Sequence, residues 1–496
     1  MIKEQNQFAN IVNNKFYPLL LFFVSFIFVT LFSRSTSFLF VFEGADPSIF
    51  KQMGRAILKG RIIYIDYFDN KGCILYFIHA LGLWLGGNFA LMLMQSVSLT
   101  ITLFIWDKML ALFHTEKSRM LCLCLALFML LCFYGAGDQT QEWCLPFISY
   151  PLLVYFQAYK TKTEIRPFQT FLIGFCFGII TFIQINNACV FLGFIAYLWI
   201  HCLIKKNFKY LFQSVGCFIA GWIIVVVPVV LYFYVKAGWH GVYEMIYASF
   251  LSNFEYMGSQ NHAKWFHRLP YSLFLFSFLI INILNLYKQK DLLVPFIISF
   301  LLFAGTFGRF CNAFYLIAIL PLCIISMMTI EMKNYRNVKF VIGIVFVCCI
   351  LFLGSIVFFH FANDLILQNE KEIAIYNDFH KCIEIIPEKE RDSICNYNLY
   401  WHGTHMMEHE GLLQSNRVLY TSLTFMLPTL FKEETSKPFV PPKWIMISFN
   451  KYCIKDNIQF IINHYELSSH FEYNNQHIQK PMIGEVFDVY FYRWKD

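Results

Sequence analysis

The chain has 496 residues, of which 58% are hydrophobic and only 14% charged, with 58 Phe and a formal net charge of +7. So apolar a composition excludes a water-soluble globule and a disordered polyelectrolyte, and it reads as a polytopic α-helical membrane protein. No nucleic-acid-binding motif accompanies the positive charge, so nucleic acid is not expected as a partner.

Apolar runs long enough for a membrane helix fall at Tyr17–Phe32, Phe89–Trp106, Met120–Gly135, Leu145–Tyr159, Pro167–Gln184 and Ala188–Ile204. They continue at Leu211–Val235, Pro270–Leu286, Leu292–Gly308, Ala313–Thr329 and Val338–Phe361, which predicts about eleven transmembrane helices. The first run has no small-residue cleavage site behind it and is expected to be a retained helix rather than a signal peptide.

Basic residues fall in every second connection: Lys3 and Lys15; Lys108, Lys117 and Arg119; Lys160, Lys162 and Arg166; Lys205, Lys206 and Lys209; Lys288 and Lys290; Lys333 and Arg336. The positive-inside rule makes those connections and the N-terminus cytoplasmic. Residues 34–87, 135–142, 236–268 and everything after Phe361 then face outward from a plasma (inner) membrane. The net charge is therefore largely topological. Most of the 16 Cys lie inside apolar runs and act as small hydrophobes, with no zinc-like spacing. Cys382, Cys395 and Cys453 lie in the outward C-terminal part, where one disulfide is an option.

The first outward connection is unusually rich in chemistry. Ile49, Phe50, Met53, Ala56, Ile57 and Leu58 recur at helical spacing with Lys51, Arg55 and Lys59 between them, predicting an amphipathic helix on the outer membrane surface. Gly60 ends it, and Cys73–Gly86 is an apolar stretch too short to span. Between them stands YIDYFDNKG, which carries Tyr64, Asp66, Asp69 and Lys71.

An acid after the first helix, an amphipathic helix ending in LKG, and this segment together resemble the GT-C membrane glycosyltransferases. The likeness is to the dolichol-phosphate-mannose mannosyltransferase and aminoarabinose-transferase type, and most to a bacterial branch carrying Y-x-D-x-F-D-x-K-G-P. Tyr64, Asp66, Phe68, Asp69, Lys71 and Gly72 match that pattern, and Cys73 stands where relatives often have proline. In FYGAGDQTQEWCLPF, Gly135, Thr140, Glu142 and Pro146 resemble the second outer loop of the same family. A His-Tyr pair common in relatives is replaced here by Phe314–Tyr315.

The resemblance implies a GT-C-like fold and sugar transfer from a polyprenyl-phosphate-linked donor to a glycan, lipid or protein acceptor in contact with membrane lipids. Such a reaction needs a base for the acceptor proton and a cation for the departing phosphate. Asp46 suits the first role, with Glu142 as a second catalytic acid. Lys71, Arg55, Arg61 and Arg309 suit the second. Asp69, Asp66 and Tyr64 complete the expected substrate-binding set. Alternatively, Asp46, Asp138 and Glu142 would hold a divalent cation, Mg or Mn, as in metal-dependent members of the superfamily. Each acid also has a structural reading: Asp46 as a helix N-cap before Pro47, Glu142 as a helix-start acid, and Asp66 and Asp69 as turn formers.

The outward connection at 236–268 carries His240, Glu244, Glu255, His262, Lys264 and His267 and is expected to be a lid loop. From residue 362 to 496 the chain turns polar. It reads as a small extracytoplasmic α/β domain with strands at Trp444–Ser448, Phe460–Ile462 and Val486–Tyr492, following a transmembrane domain over residues 1–361. His402, His405 and His409 have no clear fourth ligand for a metal. A lipid-linked-sugar transporter is the competing class, weakened by uncharged helix cores and the absence of an internal repeat. A surface-polysaccharide polymerase or ligase is the enzymatic alternative, and a nucleotide-sugar donor stays open although no Rossmann-like fingerprint is present.

Overall fold

The computed structural model describes residues 16–40, 45–135, 137–259, 265–307, 313–329, 347, 369–397, 400–418, 427–436, 441–447, 455–473 and 487–495. In chain order its helices are α1 (Tyr17–Phe32), α2 (Ala45–Leu58), α3 (Cys73–Ala111), α4 (Glu116–Phe133), α5 (Thr140–Thr161) and α6 (Pro167–Gln184). A 3₁₀ turn at Ile185–Ala188 leads to α7 (Cys189–Ile204), followed by α8 (Phe208–Ile246), a π turn at Tyr247–Leu251, α9 (Ser252–Ser259), α10 (Trp265–Leu286) and α11 (Lys290–Phe307). A 3₁₀ segment, Ala313–Ile319, runs into α12 (Leu320–Thr329). The remainder contains α13 (Asn369–Glu384), β1 (Ile394–Tyr397), α14 (Tyr400–His409), α15 (Pro428–Ser436), β2 (Trp444–Ile447), α16 (Lys455–His464), β3 (Tyr465–Tyr473) and β4 (Phe487–Trp494).

Each of the first ten apolar runs coincides with helix, and the eleventh, Val338–Phe361, lies outside the described residues. Among the described residues, four helices suffice by length and composition to cross a membrane: Cys73–Ala111, Pro167–Ile204, Phe208–Tyr256 and Lys290–Phe307. Shorter apolar helices stand at Tyr17–Phe32, Ser118–Phe133, Tyr271–Leu286 and Phe314–Ile324.

The chain divides into two compact units. The first comprises Met1–Ser33, Met92–Val235 and Gln260–Phe359, and the second comprises Arg34–Leu91, Lys236–Ser259 and His360–Asp496. Two of the boundaries fall within α3 and α8, close to backbone breaks at Gly86–Gly87 and Ala237–Gly238. Gly87 and Gly238 take positive φ, +67° and +62°, which glycine adopts without a Cβ clash.

In the first unit, small residues let helices meet at backbone distance. A Cβ on Gly174 of α6 would overlap the Phe218 carbonyl of α8, and one on Gly221 of α8 would overlap the Phe171 carbonyl of α6. A Cβ on Gly193 of α7 would likewise collide with Ser299 and the Pro295 carbonyl of α11. Helices with apolar surroundings have little hydrophobic reason to associate, so close van der Waals packing supplies the attraction. Arg119 Nε and Asp107 Oδ1 pair at 2.8 Å, both almost fully buried, which balances each charge away from water.

The second unit is built differently. Its sheet has the order β1-β2-β4-β3, with β1 parallel to β2 and the other pairs antiparallel. Trp444 and Met446 pack with Tyr376, Phe379 and Ile383 of α13 and Met406 of α14, whereas Ile445 and Ile447 pack with Ile461 of α16. Helices therefore cover both faces, and β2 reads as a continuous apolar run, WIMI, for that reason. The strands expected around Trp444 and Val486 fall on β2 and β4. Phe460–Ile462 is instead part of α16, with Phe460 stacked on His464 one turn later; three apolar residues are too few to tell the two periods apart.

Three further expectations are corrected. The α2 helix does not hold its whole polar face in solvent, because Lys51 and Gln52 are fully buried. Lys51 Nζ donates to the Ser35 carbonyl at 2.5 Å, and Gln52 Nε2 donates to Glu408 Oε2 at 3.1 Å and the Leu412 carbonyl at 2.6 Å. Much of the expected lid loop is helical, since α8 resumes after Gly238 and continues through the π turn into α9. Cys382 and Cys395 are free thiols, and Cys453 lies outside the described residues.

Gly221→Ala is expected to lower the thermal midpoint of the detergent-solubilised protein, by roughly 1–3 kcal/mol of overpacking cost. Gly216→Ala on the same helix meets no atom within 4 Å and should be neutral or slightly stabilising. Equal midpoints for the two variants would contradict the close crossing of α6 and α8.

Candidate functional site

Two polar clusters contain the residues singled out above, one in each unit. The second unit holds the segment from Tyr64 to Lys71. Tyr64 has φ +71°, and its N–H donates to the Tyr67 carbonyl at 2.5 Å, so Tyr64–Tyr67 forms a tight turn. Asp66 closes that turn by accepting from the Ile62 N–H at 2.7 Å, with its side chain exposed, which is the turn-forming reading of this acid.

Two buried tyrosines then hold the following residues. Tyr76 donates to Asp69 Oδ2 at 2.6 Å and accepts from the Lys71 N–H at 3.2 Å. The Tyr64 hydroxyl donates to the Lys71 carbonyl at 2.7 Å. Lys71 Nζ donates to Asn70 Oδ1 at 2.7 Å, and among the described residues no carboxylate lies within ion-pair distance of it. Asn253 of α9 donates to the Asn70 carbonyl at 3.3 Å.

Asp46 stands in the first turn of α2, where the helix dipole favours a negative charge, and is half-buried. Its charged neighbours are Lys71 and Asp69, and Tyr256 of α9 lies beside both acids. Burial pushes the Asp46 carboxyl above the usual carboxylate range; Lys71 pulls it back down and Asp69 adds to the rise. Asp46, Lys71 and Asp69 thus lie near enough for their charges to act on one another.

The other positions in this unit have structural partners. Arg55 donates to Glu408 through Nη2 at 2.6 Å and Nε at 3.2 Å, a two-pronged pair with a buried carboxylate rather than a contact with Lys71 or Asp46. His405 meets the Tyr376 hydroxyl at 2.6 Å, and His409 stacks on the Tyr376 ring, so these histidines serve packing. Arg309 lies outside the described residues. Arg417 was not foreseen: it donates to the Tyr64 carbonyl at 3.0 Å, pairs with Glu244 at 2.9 Å and Glu433 at 2.6 Å, and lies over the Phe68 ring.

The first unit's cluster gathers around Glu142, in the opening turn of α5. Its Oε1 accepts from the Gln139 N–H at 3.0 Å, the reciprocal bond of a capping box, and Gln95 Nε2 approaches Oε2 at 3.5 Å. The Tyr134 hydroxyl is hydrogen-bonded to Glu142 and to Ser33, and Ser33 donates to Gln95 Oε1 at 3.3 Å. A cavity of ≈ 20 Å³ lined by Gln95, Tyr134, Glu142 and apolar neighbours adjoins them, room for about one water. Asp138 is buried, has φ +59° and accepts from Trp143 Nε1 at 2.9 Å. Gly137 before it has φ +76°, and a Cβ there would collide with Ser33.

A neighbouring group also escaped sequence reasoning. Gln184 Oε1, at the end of α6, accepts from Thr140 Oγ1 at 2.5 Å, Gln141 Nε2 at 3.2 Å and Asn187 Nδ2 at 3.4 Å. Its only signal in the sequence is the polar break QINN between two apolar runs.

A hard divalent cation takes six or more oxygens, most of them from carboxylates and carbonyls free to coordinate. Asp138 and Glu142 already accept from Trp143, Gln139 and Gln95, and among the described residues no three His, Cys, Asp or Glu side chains converge on one point. Asp138 and Glu142 are thus engaged within the protein, and the chemistry below is assigned to side chains.

No family model matches the chain, and no curated protein matches it. Among solved structures it is similar to an Archaeoglobus fulgidus oligosaccharyltransferase tethered with an acceptor peptide, at 10% identity over 94% of this chain and 74% of that one, with a TM-score of 0.48. The archaeal oligosaccharyltransferase AglB from the same organism, in complex with an inhibitory peptide and a dolichol-phosphate, overlaps at 11% identity, 87% and 69% coverage and a TM-score of 0.47. Overlap at this level does not establish a shared fold.

Glu142→Gln should keep the thermal midpoint, because glutamine also serves the capping box, whereas Glu142→Ala should lose about 1 kcal/mol. Gln184→Leu should cost more, roughly 1–3 kcal/mol for each donor it leaves unpaired. Melting curves of the three variants in one detergent check the ordering, and a Gln184→Leu protein as stable as wild type would refute the role given to that amide.

Proposed function

We propose that this chain is an integral-membrane glycosyltransferase of the GT-C type, with about eleven spanning helices, that moves a sugar from a polyprenyl-phosphate-linked donor to an acceptor at the extracytoplasmic face. The observation that carries the reading is the grouping of Asp46 with Lys71 and Asp69, in which the lysine has an amide oxygen for a partner and no carboxylate. A half-buried ammonium in that condition is suited to an anionic ligand, and a phosphate answers it.

In the proposed reaction the acceptor O–H gives its proton to the Asp46 carboxylate while its oxygen attacks the anomeric carbon. The bond from that carbon to the donor phosphate oxygen breaks, and the polyprenyl phosphate departs with its new charge beside Lys71. One displacement of this kind inverts the anomeric centre. Tyr76 and Tyr64 hold Asp69 and the Lys71 backbone in place and take no proton in the step. Glu142 is retained in the proposal as a second acid, distinguished from a pure capping role by whether Glu142→Gln preserves turnover.

The base must be ionised to work, so activity falls as pH drops through the Asp46 pKa, which burial places above the ordinary value of about 4. Lys71→Ala removes the group that lowers this pKa and should move the acidic limb of kcat/KM to higher pH. Asp69→Asn removes a group that raises it and should move the limb lower. Asp46→Asn should reduce kcat by roughly 10²–10⁴-fold. Limbs that move in the same direction in the Lys71 and Asp69 variants, or a full rate in Asp46→Asn, would overturn the assignment of the base.

A further inference from the structure

A second polar cavity, of ≈ 340 Å³, lies in the second unit where α2 ends, lined by Lys59, Gly60, Arg61, Tyr67, Asp392 and Leu413. Its volume is at the lower end of the roughly 300–1,000 Å³ usual for small-molecule sites. The way α2 stops explains its chemistry. Gly60, at φ +77°, donates to the Ile57 carbonyl at 3.0 Å, and Arg61 N–H donates to the Ala56 carbonyl at 2.9 Å, the two bonds of a Schellman C-cap. That turn projects the next side chain, Arg61, away from the helix.

The charges around the cavity do not cancel. Asp392 Oδ1 accepts from the Leu413 N–H at 2.9 Å and its Oδ2 pairs with Lys59 Nζ at 2.5 Å, so each oxygen of this carboxylate has a partner. The Tyr67 hydroxyl is turned to the Gln414 carbonyl at 2.7 Å, and the nearby Asp66 closes the Ile62 turn. Arg61 is exposed and, among the described residues, its guanidinium makes no hydrogen bond or ion pair. One planar cation is left facing a polar, saccharide-sized recess.

We infer that this recess binds the oxyanion of a small hydroxyl-rich ligand, a phosphate or carboxylate carried on a sugar unit, with Arg61 as its bidentate partner. Guanidinium and either oxyanion match in planar geometry, and the surrounding polar surface suits sugar hydroxyls. Lys59 contributes by keeping Asp392 occupied. The inference is separate from the transfer reaction, since it requires only binding.

Isothermal titration of the purified full chain in detergent, with glucose 6-phosphate, glucuronate, glucose and inorganic phosphate as probes, tests it. The two anionic sugars should bind in a salt-sensitive way, and glucose should not. Arg61→Gln should weaken the anionic sugars by roughly ten- to a hundredfold, the loss of one charge-assisted pair. Lys71→Ala, outside this recess, should leave that affinity in place. The ratio of glucose 6-phosphate to glucuronate affinity identifies which oxyanion the recess prefers, and inorganic phosphate alone should bind more weakly than the phosphorylated sugar. Undiminished binding in Arg61→Gln, loss in Lys71→Ala alone, or no binding of any anion would overturn the inference.

Discussion

The candidate site in the second unit depends on one hydroxyl. Tyr76, fully buried, donates to the Asp69 carboxylate and accepts from the Lys71 backbone, while Tyr64 holds the carbonyl of the same lysine. Buried polar groups are costly unless paired, so these bonds leave the segment one arrangement in which no group is stranded. Asp69 is thereby fixed as a charge neighbour of Asp46, and the Lys71 ammonium is left with a neutral amide. The balance of charge around Asp46, and so its readiness to accept a proton, follows from where two phenols point.

The same constraint governs the first unit in another form. Its helices are largely apolar, and several buried polar side chains within them are answered by others from the chain: Gln184 by Thr140, Gln141 and Asn187, Asp107 by Arg119, Trp106 by Ser149. Satisfaction inside the protein is what an apolar surrounding demands. Backbone contacts at Gly174, Gly193 and Gly221 bring the helices near enough for such short side chains to meet.

Sequence reasoning reached what local pattern encodes. The apolar runs locate helices because spanning or core burial needs an uninterrupted stretch, and the spacing of Ile49, Phe50, Met53 and Ala56 locates α2. The run from Trp444 locates β2. What stayed hidden is pairing over long separations: Arg55 was read as a phosphate ligand and Arg417 was not singled out, yet their partners Glu408 and Tyr64 lie 353 residues away in each case. The polar face of α2 looked solvent-exposed for the same reason. β3, YELSSHFEY, lacks the apolar run of a buried strand and was invisible. Of the site itself, Tyr64, Asp69 and Lys71 were legible as a motif, but the role of Tyr76, one apolar-run tyrosine among 28 in the chain, was not.

The central claim is that the chain breaks and remakes a glycosidic bond. Purified protein in liposomes, supplied with a panel of radiolabelled polyprenyl-phosphate sugars and candidate acceptors, separates chemistry from transport in one assay. Label covalently joined to an acceptor is expected in wild type and is lost in Asp46→Asn. Label that crosses the bilayer still attached to its lipid, with no transfer to any acceptor, would contradict it.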